Sequence, residues 1–140
     1  MEYKISKLSE QVYFIQWLST PKANSESEIS FYNEIKGIVE KAAQPIYFIT
    51  DLRRGRIANI ELLRRIGATV ARHPNWGGGV SFSNNPLTTM YAEAFHRFAK
   101  FAKREDGIYA TPEEAILFLE SLKEGLTKDI AWDKIITSEV

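Results

Sequence analysis

Four bulky apolar residues, Ile46, Tyr47, Phe48 and Ile49, follow one another without polar alternation and run into Thr50-Asp51. A strand covered on both faces has this pattern, so the stretch predicts the central strand of a sheet. Residues 11–18 (QVYFIQWL) predict a second strand, and 3–8 (YKISKL) alternate as an edge strand does. The short Ser9-Glu10 link pairs these two as an antiparallel hairpin. Helical spacing takes over after the Ser19–Ser27 loop. Ser25 and Glu28 form a capping box, and Phe31, Ile35, Ile38, Val39 and Ala42 recur on one face up to about Ala43. Gln44-Pro45 stops that helix.

Beyond the central strand comes Arg53-Arg54-Gly55-Arg56, then Asn59 as an N-cap. Ile60, Leu63, Ile66 and Val70 predict a second helix that ends near His73-Pro74, with Gly67 letting it approach the sheet. Asn75 to Gly79 reads as a tight, flexible turn before a short strand at Val80–Ser83. Its three glycines precede a strand, and no Gly-Lys-Ser/Thr follows, so they do not make a phosphate loop. Asn84-Asn85-Pro86 opens a third helix, whose stripe of Leu87, Met90, Tyr91, Ala94, Phe95, Phe98 and Phe101 has the spacing of core packing. Lys103 to Gly107 ends it, and Ile108–Ala110 is the last strand. Thr111-Pro112-Glu113-Glu114 starts a fourth helix with Ala115, Phe118, Leu119 and Leu122 inward and Gly125 at its exit. The tail from Leu126 to Val140 carries Ile130, Trp132, Ile135 and Ile136, and it packs on the domain, covering a sheet edge, or holds a homodimer together.

The order β-β-α-β-α-β-α-β-α predicts an α/β fold: a mixed, mostly parallel sheet of about five strands with flanking helices, and right-handed crossovers. Residues 1–125 form the domain and 126–140 its tail. A chain of 140 residues, 44% hydrophobic and 26% charged, suits one such domain. No apolar run approaches the roughly 18 residues of a membrane span. The amino terminus, MEYKISKLSE, lacks the apolar stretch of a signal peptide, so a cytoplasmic protein without membrane insertion is expected. With no cysteine and two histidines, neither a metal site nor another cofactor is expected.

Eighteen basic and eighteen acidic residues cancel overall. Locally they do not: Arg53, Arg54, Arg56, Arg64, Arg65 and Arg72 face only Asp51 and Glu61 between residues 51 and 72. Such an island attracts anions over about 8 Å in physiological salt, and a solvated helix face is the plainer account of it.

The central strand ending in Asp51-Leu52, the Gly107-Ile108-Tyr109-Ala110 strand and the Thr111-Pro112-Glu113-Glu114-Ala115 helix, in this succession, resemble the STAS fold. That is the fold of anti-sigma factor antagonists and of the cytoplasmic domains of sulfate transporters, with STAS/SEC14-like domains among its relatives. The resemblance covers residues 3–122 and implies a regulatory module that meets a protein partner. In phosphorylatable members the loop after the central strand carries an Asp-Ser-Ser-Gly-like sequence. Here Arg53 to Asn59 contains no serine or threonine, so only the location of a partner- or ligand-facing loop carries over.

Candidate binding residues gather where the predicted parallel strands end: Arg53, Arg54, Arg56 and Asn59 from one loop, Ser83, Asn84, Asn85 and Thr88 from another. Arginines and helix amino termini both favour anions; the plainer reading is that Asn59 and Asn85 are caps and the arginines solvent-exposed. No Gly-x-Ser-x-Gly elbow is present. His73 and His96 lie at a helix end and on a polar helix side, and Glu113-Glu114 belong to a helix start. Nucleic acid is disfavoured by the charge balance and the absence of a recognised motif. The sequence therefore leads to a non-catalytic interaction module with a protein partner and a small anion. The alternative is a small enzyme acting on an anionic substrate.

Overall fold

A computed structural model describes residues 2–86, 88, 90 and 106–136. Five strands, β1 (Tyr3–Lys7), β2 (Val12–Trp17), β3 (Ile46–Asp51), β4 (Trp76–Phe82) and β5 (Asp106–Tyr109), form one sheet in the order β1-β2-β3-β4-β5. β1 pairs antiparallel with β2, and every later pairing is parallel. The fold is thus α/β with a mixed sheet, and β3 lies in its middle. Four helices are seen among the described residues: α1 (Glu26–Lys41), α2 (Ile60–Thr69), α3 (Pro112–Leu122) and the single turn α4 (Trp132–Ile135). Of the expected third helix, Pro86, Thr88 and Met90 are described and helical, with Met90 exposed instead of packed in the core; Leu87, Tyr91, Ala94, Phe95, Phe98, Phe101 and His96 lie outside the described residues.

The unbroken apolar run of β3 serves two cores. Ile46 and Phe48 join Ile15, Trp17, Phe31, Ile35 and Ile66 on the face covered by α1 and α2. Tyr47 and Ile49 join Val12, Phe14, Phe82, Ala115 and Leu119 on the face covered by α3. Each such side chain withdrawn from water contributes roughly 1.5–3 kcal/mol. α1 and α2 share a face because right-handed crossovers that step the same way along a sheet return on the same side. Side-chain caps begin the three longer helices: Ser25 Oγ accepts from Glu28 N–H (3.4 Å), Asn59 Oδ1 from Leu62 N–H (3.3 Å) and Thr111 Oγ1 from Glu114 N–H (3.2 Å).

The Asn75–Gly79 segment corrects the sequence reading. Trp76, Gly77, Gly78 and Gly79 belong to β4 instead of a turn before it. Ile46 pairs with Trp76 but Tyr47 pairs with Gly78, so Gly77 is an extra residue, a β-bulge. Only glycine fits there, because a Cβ on Gly77 would stand 2.6 Å from the Tyr47 ring and 2.9 Å from the Ile46 carbonyl oxygen. The bulge shifts the side-chain alternation by one: Trp76 remains in the first core while Val80 and Phe82 enter the second.

The described part of the tail turns back onto α3's face of the sheet, with Leu126 and Ile136 buried and Ile130, Trp132 and Ile135 partly so. Gly125 makes the turn at φ +89°, and Glu120 fastens it. Its carboxylate accepts the N–H groups of Gly125 and Thr127 and the Thr127 hydroxyl (2.7 Å). These donors, Gly125 N–H foremost, hold the Glu120 carboxyl below its ordinary value. A carboxyl lowered in this way stabilises the fold above its unfolded pKa and ceases to as pH falls through the folded one. The Gly125 and Thr127 amide resonances are therefore expected to titrate together on acidification, with a midpoint below that of an ordinary glutamate, and to stop doing so in Glu120→Gln. A midpoint at or above the ordinary value contradicts this fastening.

Candidate functional site at the carboxyl edge of the sheet

The parallel strands β2, β3, β4 and β5 end at Trp17, Asp51, Phe82 and Tyr109, so their exits share one edge. Hydrogen bonding continues past the strand ends: Leu52 N–H donates to the Phe82 carbonyl (3.0 Å) and Ser83 N–H to that of Tyr109 (2.9 Å). The loops leaving this edge carry most of the residues singled out above.

Asp51, the last residue of β3, is only 2% exposed. Its charge is met by Arg53 two residues on. Arg53 Nε donates to Oδ1 (3.0 Å), Nη2 to Oδ2 (2.9 Å), and the Arg53 backbone N–H also donates to Oδ1 (3.0 Å). The Arg53 side chain is 7% exposed, and its guanidinium carbon lies 5.2 Å from the centroid of the Phe82 ring. Arg53 is thus placed inward, as the counter-charge of Asp51, and not on the surface where an external anion would meet it.

The rest of the loop is docked on its neighbour. A Cβ on Gly55 would fall 2.3 Å from the Ser19 carbonyl carbon, and the Arg56 N–H donates to Thr20 Oγ1 (3.2 Å). This leaves Arg54 exposed and Arg56 half-buried. Asn59 is used internally twice: Oδ1 caps α2, and Nδ2 donates to Glu28 Oε1 (3.0 Å), which also accepts Asn24 N–H (2.7 Å). Glu28 Oε2 is buried without a hydrogen-bond partner among the described residues. In the other loop Ser83 is buried and its Oγ accepts Asn85 N–H (3.1 Å), while Asn85 Oδ1 accepts Thr88 N–H (3.4 Å). Asn84 and Asn85 are exposed and Thr88 is buried. The structure therefore assembles Arg54, Arg56, Asn84 and Asn85 at the surface and turns Arg53, Asn59, Ser83 and Thr88 to internal contacts.

Beneath this edge lies a cavity of about 90 Å³ between β2–β4 and the two covering helices. Aromatic rings of Trp17, Phe31, Phe48 and Trp76 line it; Phe48 and Trp76 are stacked at 5.0 Å and Trp17 lies 4.8 Å from Phe31. Space exists here because, beyond the bulge that follows Trp76, β4 offers only Gly79 and Ser81 to this face. Among the described lining residues, Thr50, Arg56 and Ser81 alone are not buried. These polar residues mark its mouth. Sequence reasoning missed the cavity; the signal was the pair of small residues two apart on one face of a strand.

Two of the remaining arginines of the island have local roles. Arg64 pairs with Glu61 on α2, and the Arg65 guanidinium lies 4.4 Å from the Tyr32 ring centroid. Burial would raise the Tyr32 hydroxyl, but its hydrogen bond with Thr69 (3.0 Å) and the nearby Arg65 bring it below its ordinary value. Among the described residues no group of three His, Cys, Asp or Glu could hold a metal ion, and no helix is long and apolar enough to cross a membrane. Compared with known protein families, characterised proteins and solved structures, the chain matches none.

The two kinds of arginine are separable by denaturant unfolding. Arg53→Ala strands the Asp51 carboxylate and is expected to cost about 3–5 kcal/mol, whereas Arg54→Ala is expected to change stability by no more than about 0.5 kcal/mol. Equal effects would contradict the inward placement of Arg53. Gly55→Ala is expected to lose roughly 1–3 kcal/mol, because its methyl group meets backbone and not a movable side chain.

Proposed function

We propose that this chain is a STAS-like regulatory module that works by binding, presenting the carboxyl edge of its sheet to a protein partner and taking a small anion at Arg54 and Arg56. One observation carries the reading: the basic loop is held from below by the Asp51–Arg53 ion pair and from the side by Gly55 against Ser19. A loop fixed in this way offers its exposed cation without first having to be ordered, which is what pre-organised recognition requires. Asn84 and Asn85 stand exposed on the neighbouring exit, adding amide donors and acceptors to the guanidinium groups. Support for the STAS-like assignment comes from the element order, an antiparallel opening pair followed by parallel strands in chain sequence, and from the Thr111-capped helix after the last strand.

Inorganic phosphate titrated into the labelled protein is expected to shift the amide resonances of residues 54–56 and 84–85, and Arg54→Glu to remove the response. A partner retained from an extract of the source organism by the wild type is expected to be lost with Arg54→Glu and kept with Arg72→Ala, a control on the far end of the basic stretch. Shifts confined elsewhere, or a partner indifferent to Arg54, would overturn the proposal. Turnover of an anionic substrate abolished by Arg56→Ala would make the protein an enzyme instead.

A further inference from the structure

The cavity beneath the edge has two chemically different ends. Its interior is walled by buried side chains that are apolar or aromatic but for Thr88, while the half-buried Thr50, Arg56 and Ser81 stand at the mouth. Arg56 is the one charged residue among those described as lining it. Water has little to hold it in a chamber lined by Phe31, Ile35, Phe48 and Ile66, since an enclosed water needs two to four polar partners. An apolar group fits it better. The polar mouth calls for a different group on the same molecule: a guanidinium recognises a carboxylate through paired N–H donors, and hydroxyls such as those of Thr50 and Ser81 can supply more.

Size narrows the class. An apolar cavity of about 150 Å³ accepts benzene; at about 90 Å³, this one has room by proportion for about four carbon atoms. We propose that the cavity binds a short-chain carboxylate, with roughly four carbons of its tail inside and its carboxylate at Arg56. A long acyl chain does not fit that volume, and a phosphate or sulfate has nothing to place within it. The inference rests on the reading that Arg56 takes an anion and specifies which anion that is.

Calorimetric titration of the whole protein with the unbranched carboxylates from acetate to decanoate, and with the matching primary alcohols, tests it. Affinity is expected to rise roughly fourfold per added methylene, as burial of a CH₂ implies, and to level off or fall beyond about six carbons in all. Each alcohol is expected to bind at least about tenfold more weakly than its acid, a charge-assisted contact having been lost. Arg56→Gln should erase the preference for acid over alcohol and keep the dependence on chain length. Ser81→Leu, which fills the chamber, should abolish binding while the amide spectrum stays dispersed. Ile66→Phe fills it from the helix side and replaces Ser81→Leu should that variant unfold.

Affinity independent of chain length, or no binding by any member, would overturn the inference; if phosphate still shifts residues 54–56, the proposed anion-binding edge survives. Equal affinity for acids and alcohols would overturn the role of Arg56 in both. Decanoate binding tightest of the series would also overturn the inference, in favour of a lipid site.

Discussion

A strand buried on both faces has no place for a charge except at its end, and β3 obeys that constraint. Ile46 to Ile49 fill two cores, one on each side of the sheet, and the first ionised group along the strand is Asp51, still beneath the surface. A carboxylate in that position is tolerable only if matched and hydrogen-bonded. Arg53 does this with three N–H groups, one from its backbone. The need to neutralise Asp51 consequently dictates the path of the chain over the next two residues, and the rest of the loop inherits its position. Gly55 then packs on Ser19 and Arg56 bonds to Thr20, so the exits of β2 and β3 are tied together.

A second constraint acts on β4. Its bulge at Gly77 lets Trp76 and the later residues occupy the correct faces of a sheet that both sides bury. In consequence the first core receives Gly79 and Ser81 next to Phe48 and Thr50. Two small side chains cannot fill what two helices roof over, and the bulky rings around them are already in contact with one another. The resulting cavity follows from the glycine run itself. A loop-like composition has been put to use inside a sheet.

Charge is also redistributed by the fold. Residues 51–72 look like one basic island along the chain, yet Arg53 neutralises a buried aspartate, Arg64 pairs within its own helix turn and Arg65 lies over Tyr32. What faces outward at the strand ends is narrower, with Arg54 exposed and Arg56 half-buried beside the cavity. A focused cationic point above an apolar chamber suits an amphiphilic anion, whereas an evenly basic surface would suit a polyanion.

By itself the sequence determined the α/β class, the opening hairpin, the buried central strand and the caps at Ser25, Asn59 and Thr111. These follow from local signals: periodicity of two or 3.6, apolar runs, proline stops and side chains that reach their own helix ends. It also marked the strand exits as the place for a site. Only the tertiary structure decided which of the marked residues look outward, because burial depends on what arrives from elsewhere in the chain. Phe82 and the depth of Asp51 turned Arg53 inward, Glu28 engaged Asn59, and the pairing of Tyr47 with Gly78 drew three apparent turn glycines into a strand. The cavity belongs to that second class as well, since a void is a property of facing layers and no single stretch of residues contains it.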